Sequence, residues 1–86
     1  MVGMFATSKA GHDKSEVYII CKEEAGYVYL VDGIYKTMDH PKKKSKKHIQ
    51  LIKKTIDQEL KDKLQSNLQV RDEEIKRAIK LLKQEQ

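Results

Sequence analysis

The chain holds a single cysteine, Cys21, so no intrachain disulfide can form, and one thiolate cannot build a structural zinc site. Tryptophan is absent and proline occurs once, at Pro41. No stretch approaches the roughly 20 consecutive apolar residues of a membrane span. Met1-Val2-Gly3-Met4-Phe5 has neither the basic start nor the long apolar run of a signal peptide. These absences point to a cytoplasmic protein with no membrane partner. The chemistry of catalysis is missing as well. There is no Ser/His/Asp or Cys/His arrangement, no P-loop and no GxGxxG, so the expectation is a protein that is not an enzyme and carries no cofactor. His12, His40 and His48 sit on separate polar stretches without paired carboxylates at ligand spacing, so they specify no metal site.

What the sequence does have is positive charge in one place. The net charge is +5. The stretch His40-Pro41-Lys42-Lys43-Lys44-Ser45-Lys46-Lys47-His48 contains five lysines and no acid, so the rest of the chain is balanced. A scattered surplus would serve solubility, whereas a concentrated one is what binding to phosphates requires. The alternative is a solvated loop or a localisation tag. Against it, the run lies between two predicted strands rather than at a terminus, and Pro41 stiffens its entrance.

Eighty-six residues suffice for one modest core, since so short a chain buries roughly 60–65% of its unfolded surface. The composition changes near residue 52. Before it, apolar runs at Val2–Ala6, Val17–Cys21, Tyr27–Val31, Tyr35–Met38 and Ile49–Ile52 alternate with turn signals, the pattern of short strands. Glu23-Glu24-Ala25-Gly26 reads as a hairpin connection and Asp32-Gly33 as a tight turn. Several strands in so few residues predict a small curled barrel, because closure removes exposed edges. After residue 52, Ile52, Ile56, Leu60 and Leu64 recur every fourth position, with Thr55 as N-cap and Gln58 completing a capping box. A second helix is predicted from about Asp72, where three acids meet the positive end of the helix dipole, with Ile75, Ala78, Ile79 and Leu82 as its apolar stripe. Each helix is too short to stand alone in water. They must pack on each other, on the sheet or on a partner.

A second polar stretch, Ser8-Lys9-Ala10-Gly11-His12-Asp13-Lys14, links the first two strands. Lys9, His12 and Lys14 would add positive charge if it lies beside the lysine run, and Gly11 suits a close backbone approach. Taken alone, it is an ordinary surface turn. Tyr18, Tyr27, Tyr29 and Tyr35 either fill the core or stack on bases. Cys21 sits mid-strand as a small apolar residue.

Val2-Gly3-Met4-Phe5-Ala6, then Ser8 to Lys14, the strand Val17–Cys21, Tyr27–Val31 with Asp32-Gly33, and finally Pro41-Lys42-Lys43-Lys44 with Lys47-His48-Ile49 together resemble the KOW motif. The chain resembles the small bacterial KOW-domain RNA-binding proteins, which are similar to KOW-containing large-subunit ribosomal proteins of archaea and eukaryotes. The likeness covers about residues 2–52. It departs from the usual pattern at Ser15, where the family has glycine, and at His12, where arginine is common. It implies an SH3-like barrel that binds ribosomal or other structured RNA. Lys9, Gly11, Lys14, the lysines at 42, 43, 44, 46 and 47, and His48 would then face the RNA.

The sequence thus predicts an α+β protein: a mostly β, SH3-like (KOW) barrel over 1–52 and a helical hairpin over 53–86. Its expected role is RNA binding, with ribosomal RNA as partner and the 40–48 and 8–15 loops as the contact surface. The competing role is a protein–protein module docking on a ribosomal or transcription partner through the barrel or the stripe Ile75, Ile79 and Leu82.

Overall fold

A computed structural model describes residues 1–9 and 16–84. Five strands, β1 (Phe5–Ser8), β2 (Val17–Glu23), β3 (Tyr27–Val31), β4 (Lys42–Ser45) and β5 (Ile49–Ile52), form one antiparallel sheet in the order β4-β3-β2-β1-β5. Two helices follow, α1 (Gln58–Gln65) and α2 (Asp72–Gln84), which makes the protein α+β. The sheet is not closed, because β4 and β5 form its two edges and do not pair. It must nevertheless curl strongly. Laid flat, the edge strands would stand about 19 Å apart. The chain passes from one to the other through a 3-10 turn of only three residues, Lys46–His48. Such a turn advances by only about 6 Å.

Both faces of β2 are covered, which explains why Val17–Cys21 reads as a continuous apolar run instead of an alternating one. One face packs Ala6, Tyr18, Ile20, Val28, Leu30 and Ile49 into a core of their own. The opposite face sets Phe5, Val17, Ile19 and Val31 against Leu60 and Leu64 of α1 and the α2 stripe Ile75, Ala78, Ile79 and Leu82. Ile75 is fully buried there. Truncating such a side chain to alanine costs roughly 2–5 kcal/mol. Pairing shifts between Ile20 and Lys22, so Cys21 is the extra residue of a bulge, half-buried against the helix-side core.

The helices form where predicted, with different caps. Ile52 is taken into β5, paired with Phe5, so it cannot head a helical stripe. The N-cap of α1 is consequently Asp57, not Thr55: its side chain accepts from the Leu60 amide at 3.1 Å. At the other end Asn67 takes φ +58°, Leu68 N–H donates to Lys63 C=O and Asn67 N–H to Leu64 C=O, a Schellman closure with asparagine in the left-handed position. For α2, the Glu74 carboxylate accepts from the Arg71 amide at 2.9 Å, satisfying a backbone donor at the helix start.

Two expected features are replaced. Tyr35–Met38 is not a strand but part of a turn, because the Asp32 carboxylate accepts from the amides of Ile34, Tyr35 and Lys36 at 2.8–2.9 Å. Those amides are then not available to a ladder. The lysine run is likewise not a loop. Lys42–Ser45 is a strand, paired along its length with β3, and Lys46–His48 is the 3-10 turn.

Candidate nucleic-acid interface

Because the lysines lie on an edge strand, they alternate in direction. Val28 stands opposite Lys44 and Leu30 opposite Lys42, so those two lysines share the face of the inner core. Both side chains are half-buried there. Lys42 Nζ lies 5.8 Å from the centre of the Tyr18 ring. Burial, and secondarily the Lys44 charge, lowers the Lys42 pKa from its ordinary value. Lys43 points to the other side, beside its partner Tyr29, with its Nζ 4.5 Å over the Tyr27 ring.

Lys46, Lys47 and His48 occupy the 3-10 turn. Lys46 is ion-paired with Glu23 at 2.7 Å, and the Met1 amino group binds the other oxygen of the same carboxylate at 3.0 Å. The Lys46 hydrogen bond first, and the Met1 one second, hold the Glu23 carboxyl below its ordinary range. Lys47 and His48 are exposed.

Lys9, also exposed, belongs to this turn. Its amide donates to the His48 carbonyl at 2.9 Å, continuing the β1–β5 ladder past the Ser8–Ile49 pair. The start of the 8–15 segment and the end of the lysine run are therefore neighbours at one end of the sheet. Gly11, His12 and Lys14 lie outside the described residues. The expected surface is thus gathered in part: Lys9, Lys47 and His48 are brought together, Lys46 is paired with Glu23, and Lys42, Lys43 and Lys44 spread over both faces of the β4 edge.

Sequence reasoning missed Lys22 and the acids around it. Lys22 faces Tyr29 across the ladder, with its Nζ 5.3 Å over that ring, and the Tyr29 hydroxyl donates to Glu24 at 2.6 Å. Tyr27 and Tyr29 face away from the inner core, beside lysines and not beneath a helix. The signal was present in the alternation Tyr27-Val28-Tyr29-Leu30, but only the pairing partners show which member faces out.

The stripe Ile75, Ile79 and Leu82 is buried against the sheet and α1. Among the described residues, no three His, Cys, Asp or Glu side chains gather as a metal-ligand group, and no helix is long and apolar enough to cross a membrane. No protein-family model and no curated protein sequence matches the chain.

Proposed function

We propose that this protein binds structured RNA, ribosomal RNA being the foremost candidate, through phosphate contacts made by the lysines of β4 and the 3-10 turn together with Lys9. The observation that carries this reading is the hydrogen bond from Lys9 N–H to His48 C=O, which sets Lys9 beside the end of the lysine run. A five-stranded antiparallel sheet whose two edge strands are joined by a three-residue turn supports a KOW-type, SH3-like barrel as the scaffold. Contacts from lysine read charge and helical shape more than base identity, and A-form RNA hides its major groove from side chains. Burial of the Ile75, Ile79 and Leu82 stripe removes one of the two surfaces of the docking alternative, the other being the barrel.

The test is binding to ribosomal RNA across a salt series. Engagement of all five lysines gives a log–log slope of about −3.5. A variant with Lys42, Lys43 and Lys44 changed to glutamine flattens that slope, and a Lys46→Gln, Lys47→Gln variant does the same from the other end of the run. Failure of the native chain to bind at about 100 mM salt overturns the proposal.

A further inference from the structure

Away from the lysine strand, the turn after β3 raises two large apolar side chains into solvent: Ile34 is 56% exposed and Tyr35 84%. They are not on a loose loop, because three consecutive amides there are tied to Asp32. Behind them lies a groove of about 400 Å³, the buried Val17 and Ile79 contributing to its lining. Lys76, Lys80 and Lys83 of α2 also line it. Their spacing puts them on one helix face, separated by about 6 Å and 4.5 Å along the axis.

We propose that this groove holds one unpaired RNA base stacked on Tyr35, with the flanking phosphates on the ammonium groups of the α2 lysines. The proposal rests on the RNA-binding reading above and adds a second, single-stranded contact to it. An aromatic ring on a tethered turn beside a row of cations is the combination that receives a splayed-out nucleotide, since every base has a face to stack and a phosphate to neutralise. An apolar peptide side chain would fill the groove but leave the three ammonium groups without partners.

Asp32 and Glu16 also line the groove. Neither acid disqualifies it. Asp32 is occupied in holding the turn, and a carboxylate such as that of Glu16 accepts from the exocyclic amino group of cytosine.

The test compares a single-stranded oligocytidylate of about ten nucleotides with a blunt-ended RNA duplex, each titrated against the full chain. Tyr35→Ala should weaken single-strand binding about 5- to 150-fold, the range for loss of one stacked base, while leaving the duplex affinity unchanged. Tyr35→Phe should retain binding, because stacking uses the ring and not the hydroxyl. A Lys80→Gln, Lys83→Gln variant should flatten the single-strand salt dependence. If the duplex binds but the oligocytidylate does not, or binds equally well to Tyr35→Ala, the groove proposal is wrong and the RNA-binding reading survives. If neither RNA binds, both fall. If Tyr35→Ala loses a ribosomal protein partner while single-strand binding is unaltered, the groove belongs to a protein and the proposal is overturned.

Discussion

Asp72 and Met38, far apart in sequence, are joined by one hydrogen bond: the Met38 amide donates to the Asp72 carboxylate at 2.8 Å. The bond ties the first turn of α2 to the connection between β3 and β4, and therefore holds the helix against the segment that leads into the lysine strand. Asp72→Ala removes the acceptor and leaves a half-buried amide unpaired, at a cost of about 1–2 kcal/mol. Thermal unfolding should show the midpoint falling by about 4–15 °C. Asp72→Asn keeps a carbonyl acceptor and should recover most of the loss. Glu73→Gln, which removes a charge from the same turn, should cost only about 0.3–1 kcal/mol.

Gly33 is the residue that lets the β3–β4 turn approach α2. Its φ is +80°, and a Cβ there would collide with the Asp72 carbonyl and sit 2.8 Å from the Lys76 amide nitrogen, both backbone atoms of the helix. Gly33→Ala therefore combines left-handed strain with overpacking, about 2–4 kcal/mol in total. Gly26, at the β2–β3 hairpin, has open space where a Cβ would go. Gly26→Ala should change stability by no more than about 0.5 kcal/mol. Chemical denaturation of the pair separates a packing glycine from a permissive one, and equal midpoints would sink the distinction.

Glu74 gives the fold an acid-side dependence on pH. The Arg71 amide first, and the Lys63 ammonium at 2.6 Å second, hold its carboxyl below the ordinary value. A carboxyl whose pKa is lower folded than unfolded contributes stability that is fully present above the unfolded value. That contribution is lost as pH falls through the folded one. The native chain should accordingly lose stability below about pH 4.5, the ordinary glutamate value. A Glu74→Gln variant should lose less over the same acid window, as measured by unfolding midpoints in a pH series. Identical pH profiles would show the Lys63–Glu74 pair to be inconsequential.

Glu23 opposes the proposed function. It neutralises Lys46 within the basic turn. Glu23→Gln should strengthen binding to ribosomal RNA at low salt, because Lys46 no longer has to leave a carboxylate to reach phosphate. A weaker or unaltered affinity would mean that Lys46 does not face the RNA.

Most of the architecture could be read from the sequence because local preference and burial agree. The apolar run Val17–Cys21 and the stripe Ile75, Ala78, Ile79 and Leu82 both end up in cores. The sequence misled where a side chain competed with the backbone pattern. Asp32 collects three amides and turns Tyr35–Met38 away from the sheet. Asp57, not Thr55, caps α1, because the periodic series from Ile52 straddles a strand and a helix. The lysine run looked like a loop because lysine has little intrinsic strand preference, yet β3 supplies a pairing partner for every residue from Lys42 to Ser45. Of the candidate site, the proximity of Lys9 to the 3-10 turn depends on β1 pairing with β5, a contact between the first and last strands along the chain that no local pattern encodes. The slot under Tyr35 depends on α2 folding back beside the turn.

An open sheet has two edge strands, and one of them here is β4. Such an edge is a template on which another copy can add a strand, and lysines along it repel that copy. The same ammonium groups proposed to hold RNA thus also guard the molecule against assembling with itself. A polyanion that occupies them replaces the guard with its own bulk and charge. Lysine-to-glutamine exchange removes the guard and leaves nothing in its place. Loss of RNA affinity and onset of strand-by-strand association should therefore arise together from the same substitutions.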